Sequence, residues 1–174
     1  MELALLIRRY HDAAATFVPP PDAVWQIPGA GSIVCHNDLY GGNVILRAGR
    51  PVAFIDWEMA GPGEPLTDLA SAACSWVPVA SDERAAELGL SPARRGDRLR
   101  LLCDAYGLEA DVRARVVDAV CAYLLRAYEL HRLWGAIEGR AKWRKLWEAG
   151  SGDAINAELA WVSSHGDELE RFLL

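Results

Sequence analysis

The sequence predicts an α+β chain that is mostly α, with a short β-hairpin at its centre of interest. Two observations lead there. Val34 to Glu58, VCHNDLYGGNVILRAGRPVAFIDWE, holds short apolar runs of strand type separated by Gly-containing loops. Most of the remaining chain repeats apolar residues at the helical period. A length of 174 residues with 52% hydrophobic residues supports one domain with a real core. Within it we distinguish a leading helix and loop (1–31), a hairpin region (32–58) and a helical subdomain (59–174).

Each element has its own signal. Glu2 to Ala15 reads as an amphipathic helix, with Leu3, Leu6, Ile7, Tyr10 and Ala14 on one face and Arg8, Arg9 and Asp12 on the other. His11 reads as a surface or packing residue rather than a ligand. Phe17 to Gly31 is a loop, broken by Pro19-Pro20-Pro21 and Pro28-Gly29, with Trp25 expected to anchor it. Ser32 to Cys35 is a buried-strand pattern that delivers His36 and Asp38 to its end. Asn43 to Leu46 and Pro51 to Ile55 are the strands of the hairpin, joined by the loop Arg47 to Arg50. Ala60 to Pro65, AGPGEP, is expected to be irregular. Thr67 or Asp68 is expected to cap a helix running to about Val77. Further helices are expected over Glu83 to Leu88, Asp97 to Tyr106 (after a polar link, Ser91 to Gly96, and stopping at Gly107), Asp111 to Trp134, Lys142 to Trp147 and Asp153 to Phe172. Trp134, Trp143, Trp147 and Trp161 suit a core better than a ligand cage.

The hairpin region carries the chemistry. Pairing of its strands would bring Asn43 and Asp56 together at the open end, with Asp38 five residues before Asn43 across Gly41-Gly42. Asn43 and Asp56 offer hard oxygen ligands of the kind Mg²⁺ prefers, with substrate phosphate and water completing the shell. Asp38 would be left to take a proton from an attacking hydroxyl. That division of labour suits phosphoryl transfer, which depends on positioning and charge neutralisation. The bland reading makes Asp38 and Asn43 turn residues and Asp56 a strand-end cap.

His36-Asn37-Asp38-Leu39-Tyr40-Gly41-Gly42-Asn43, Ile55-Asp56-Trp57-Glu58 and Asp68-Leu69-Ala70 resemble the aminoglycoside phosphotransferase and choline-kinase-like family. The resemblance runs from about Leu3 to Trp76. It implies the C-terminal lobe of a protein-kinase-like fold, with ATP as co-substrate, Mg²⁺ as cofactor and a small-molecule hydroxyl compound as acceptor. It also implies that Asp38 is the catalytic base, that Asn43 and Asp56 bind the metal and the nucleotide with it, and that His36 and Asp68 support the loop. Tyr40-Gly41-Gly42 stands where a His-Pro-Gly triplet is usual in the family, which leaves the acceptor open.

A kinase also needs a β-rich lobe that covers the phosphates and supplies a strand lysine. The chain's two lysines, Lys142 and Lys145, both follow the motif. The expectation is therefore a C-lobe without its nucleotide lobe, which a partner or further coding sequence would supply. Self-association through the face near Phe17, Trp25 and the Asp38 loop is expected on the same ground. A non-catalytic binding or scaffold module is the alternative. The net charge of −6 argues against nucleic acid. Four widely spaced cysteines without a C-x-x-C pair read as free thiols of a cytoplasmic protein. No apolar run approaches membrane-spanning length.

Overall fold

The computed structural model describes residues 1–174. Helices dominate: α1 (Glu2–Ala14), α2 (Pro65–Trp76), α3 (Asp82–Glu87), α4 (Arg95–Tyr106), α5 (Ala110–Arg113), α6 (Val116–Ala136), α7 (Ala141–Glu148), α8 (Ser151–Ser164) and α9 (Gly166–Leu173). Two small antiparallel sheets complete the chain: β1 (Ile33–Cys35) with β4 (Gly61–Gly63), and β2 (Val44–Arg47) with β3 (Arg50–Phe54). No helix is long and apolar enough to cross a membrane. All four cysteines are unpaired, Cys35 and Cys103 buried, Cys74 and Cys121 half-buried.

One apolar core unites the helices. It takes Leu3, Ala4 and Ile7 from α1, Leu69, Ala72 and Ala73 from α2, Leu99 and Leu102 from α4, Val117, Val120 and Leu124 from α6, and Val162 from α8. The amphipathic stripe of α1 is therefore buried as its periodicity requires, and His11 continues that stripe into the interior.

The hairpin forms between β2 and β3, with a bulge between Ile45 and Leu46. The strands reach further than the expected loop allowed. Only Ala48 and Gly49 turn, both at positive φ (50° and 76°), the pattern of the tight turn that matches strand twist. Asn43 does not begin a strand. It ends a 3-10 turn over Gly41–Asn43, and the strand starts at Val44.

Several other expectations are corrected. Gly61-Pro62-Gly63 is not irregular: it pairs with β1, Cys35 opposite Gly61 and Ile33 opposite Gly63. The glycines make this possible. A Cβ on Gly61 would lie 2.5 Å from the Ile27 carbonyl oxygen, and one on Gly31 would lie 2.0 Å from that of Gly63. Trp57–Met59 adds an unforeseen 3-10 turn. The cap of α2 is neither Thr67 nor Asp68. The helix starts earlier, with Glu64 at the cap and Pro65 in the first turn, where a missing N–H costs nothing.

The polar link before α4 is partly helical, a 3-10 turn over Pro92–Arg94 running into α4 at Arg95. The helix expected from Asp111 to Trp134 breaks at Ala114-Arg115. Arg113 donates to the Leu108 carbonyl at 2.8 Å and pairs with Asp104, holding α5 against the end of α4 while α6 departs. The last helix breaks at His165, whose φ of −114° leaves the helical range; the Ser164 hydroxyl and the His165 ring join the His165 N–H on the Trp161 carbonyl. Ile27, not Trp25, anchors the long loop, buried against Met59 and Trp134.

Gly31→Ala is expected to lose about 1–3 kcal/mol of stability through forced overpacking of β1 on β4. Gly41→Ala, with nothing within 4 Å of its new methyl, should stay within about 0.5 kcal/mol of the parent. Urea denaturation of both variants checks this; equal losses would contradict the close β1–β4 packing.

Candidate functional site

The site is built on the loop between β1 and β2. Its backbone is held by side chains of α2. The buried Asp68 carboxylate accepts from the His36 N–H at 2.9 Å and the Asn37 N–H at 2.6 Å. Ser71, one turn on, accepts from the Leu39 N–H at 2.9 Å. Trp76 donates its ring N–H to the Leu39 carbonyl at 3.0 Å. The spacing 68, 71, 76 keeps these side chains along one side of the helix. Asp68 thus sits inside α2 rather than at its cap, turned toward the loop.

On its other side Asp68 meets His11 of α1, whose Nε2 lies 3.1 Å from its carboxylate. The other ring nitrogen faces the Tyr106 hydroxyl at 2.8 Å. Burial pushes the Tyr106 hydroxyl up to about 12. Sequence reasoning gave His11 no such part, yet a signal existed: it lies four residues after Ile7 on the buried stripe.

Asn37 occupies the left-handed region at φ 66°, which Asn tolerates better than most residues. Its side-chain amide donates to the Met59 carbonyl at 3.0 Å, and its oxygen accepts from Arg126 at 3.3 Å. His36 links the loop to the hairpin. Its Nε2 donates to the Ile55 carbonyl at 3.0 Å, and its Nδ1 accepts from the Asp38 N–H at 3.3 Å. The ring lies 4.5 Å from that of Trp57, which in turn lies 5.1 Å from Tyr10 of α1.

Asp38 and Asn43 meet directly. The Asn43 amide nitrogen donates to the Asp38 carboxylate at 3.0 Å and to its carbonyl at 2.9 Å. Burial raises the Asp38 carboxyl above its ordinary value; His36 and the Asn43 amide oppose the rise, and the Asp56 charge adds to it. The Ile55 N–H donates to the Asn43 carbonyl at 3.0 Å, which closes the open end of the hairpin and places Asp56 next in line. Asp56 is exposed at φ 61°, and its side chain caps nothing. It shares no hydrogen bond with Asp38 or Asn43.

With its nitrogen committed to Asp38, Asn43 leaves its side-chain oxygen without a hydrogen-bond partner, and Asp56 leaves a free carboxylate. Two hard oxygen donors fit Mg²⁺ held partly by substrate. No group of three or more His, Cys, Asp or Glu side chains could hold a metal without such help.

Two hollows adjoin the loop. A small one of about 50 Å³ is lined by Asn37, Asp38, Met59, Tyr123, His131 and Trp143. An open cleft of about 530 Å³ runs from Tyr40 and Gly41 to His131, Ser151 and Glu158. Tyr123, Ala127 and His131, four residues apart on α6, line both. Burial lowers His131 and raises the Glu158 carboxyl, against the pull of Arg84 at 3.5 Å. Trp143 packs edge-on against Trp134 at 4.7 Å, so the aromatic residues here form a wall rather than a cage. Lys142 reaches within 3.7 Å of Glu58 at the exposed rim, a placement that only the fold reveals.

Asp68→Ala is expected to lose about 1–3 kcal/mol for each loop amide left without an acceptor. Asp12→Ala, which removes an exposed pair with Arg8 at 2.8 Å, should lose less than about 1 kcal/mol. Guanidinium unfolding curves compare them, and a mild Asp68→Ala would contradict the clamp.

The model of the phosphotransferase enzyme family matches residues 2–134, from α1 to the end part of α6. The trifolitoxin immunity protein of Rhizobium leguminosarum bv. trifolii is 33% identical over 129 residues, which is 70% of this chain and 49% of that protein. The chain thus spans about half the length of that curated relative. No solved structure matches. With three quarters of its length inside the family's pattern, the chain belongs to the phosphotransferase enzyme family, of the aminoglycoside phosphotransferase type.

Proposed function

We propose that this chain forms the catalytic-loop lobe of an ATP-dependent phosphotransferase that acts on a small-molecule hydroxyl, a kinase-like C-lobe. The observation that carries the reading is the Asp38 carboxylate held by the Asn43 amide at 3.0 Å, at the end of a hairpin whose next acidic residue is unpartnered. Asp38 is the base: it accepts the acceptor's hydroxyl proton as the oxygen attacks the γ-phosphorus and the bond to the leaving diphosphate breaks. Asn43 and Asp56 would hold Mg²⁺, which when bound neutralises charge on the phosphates. His36 and Asp68 fix the loop so that Asp38 needs no rearrangement. The cleft between Tyr40-Gly41 and α6 receives the acceptor.

The phosphate-covering lobe and its lysine would come from elsewhere in the protein or from a partner. A second reading, a binding module that keeps the loop geometry without turnover, draws support from the relative, whose name records immunity and not transfer.

In the full-length protein, Asp38→Asn is expected to lower kcat about 10²- to 10⁴-fold while leaving nucleotide affinity in place. Because Asp38 acts deprotonated and burial raises its carboxyl, activity should fall as pH drops through a value above that of an ordinary aspartate. Radiolabelled phosphate transfer from ATP to a panel of hydroxyl compounds measures both; unchanged turnover in Asp38→Asn rules out its role as base. Residues 1–174 alone should not bind Mg-ATP in the micromolar range, about −8 kcal/mol, when titrated by calorimetry.

A further inference from the structure

We propose that the groove between α1 and the hairpin is a docking site for an acidic, partly apolar peptide segment of a partner protein. The groove encloses about 700 Å³ and is lined by Arg8, Arg9, Arg47 and Arg50 together with Leu5 and Val52. Glu2 is the one acidic residue on its walls. Its carboxylate takes Arg50 at 2.5 Å, and Asp12 takes Arg8 at 2.8 Å. The side chains of Arg9 and Arg47 have no ion-pair or hydrogen-bond partner in the chain. A chain of net charge −6 therefore concentrates surplus positive charge in one groove, which complements an anionic ligand.

The shape narrows the ligand further. Glu2, Leu5 and Arg9 follow one helical stripe, and Arg50, Pro51 and Val52 line the groove from β3, with Val52 the bulged residue that has no partner on β2. The helical wall is about 10 Å long at 1.5 Å per residue. That length accommodates about three residues of an extended strand. Leu5 and Val52 are 45% and 44% exposed on it. An isolated phosphate would use the arginines and leave these apolar side chains bare. A nucleic acid would need a longer cationic track than one groove offers. A segment alternating acidic and aliphatic residues satisfies both chemistries. The groove lies at the Ala48-Gly49 turn of the hairpin, opposite the end that carries Asn43 and Asp56. Docking there leaves the Asp38 loop open, so this site stands independently of the proposed reaction.

The test uses a fluorescein-labelled peptide of alternating glutamate and leucine, with anisotropy as readout. Binding is expected in the range of about 1–100 μM, weakening at least about fivefold between about 50 mM and about 300 mM NaCl. The double variant R9E/R47E should weaken it at least about tenfold, as loss of about 1.4 kcal/mol implies, with thermal midpoint unchanged. A peptide with serine for leucine should bind more weakly than the parent peptide. No binding at millimolar peptide, equal binding by R9E/R47E, or tighter binding of an oligouridylate than of the peptide would each overturn the proposal.

Discussion

The buried Asp68 carboxylate is the interaction on which the site depends. A carboxylate removed from water is costly unless donors replace the lost hydration. Here the His36 and Asn37 amides and the His11 ring supply them. The requirement is mutual: two amides at the end of β1 would be unsatisfied without Asp68. One side chain thereby fixes α1, α2 and the loop relative to one another. Ser71 and Trp76 extend the clamp to Leu39, so the backbone on both sides of Asp38 is set by a single helix.

This clamp explains how the loop sustains unusual backbone. Asn37 and Asp56 both lie in the left-handed region, and they bracket the site. Such conformations cost on the order of 1 kcal/mol or more and persist only where surroundings over-determine them. At Asn37 the surroundings are evident: Asp68 on the amide, Met59 and Arg126 on the side chain. At Asp56 the neighbours do it, through the Ile55 carbonyl on His36 and the Ile55 amide on Asn43. The result turns the Asp56 carboxylate away from any internal partner.

How much of this was legible in the sequence follows from range. Asp38, Asn43 and the hairpin are encoded within some twenty consecutive residues, where spacing alone fixes proximity. So is the apolar stripe of α1. The β4 strand was not legible, because Gly-Pro-Gly carries no strand propensity; it pairs because Ile27 and Cys35 approach Gly61 and Gly63 where a Cβ would stand. The breaks at Arg115 and His165 fall at residue types ordinary in helices, which periodicity does not record. His11, Ser71, Arg126 and Lys142 act on the loop or its rim from distant positions in the chain. Their residue types are ordinary on helices, and only tertiary contact gives them a role.

The distribution of support within the fold bears on function. The apolar core is made almost wholly by helices; from the hairpin it takes only Val44, with Phe54 packed at its margin. Ile45, Leu46, Val52 and Ile55 remain exposed. The hairpin is held instead by its own ladder, by His36, and by the rings of Tyr10, Phe54 and Trp57. Segments with few buried apolar contacts open at lower free energy than the core. The Asp38 side of the site therefore rests on the helical base, while the Asp56 side rests on an element with few apolar contacts to the core. Under the proposed function, that asymmetry would keep Asp38 fixed against the acceptor and leave the proposed Mg²⁺ ligand Asp56 on the less buried element.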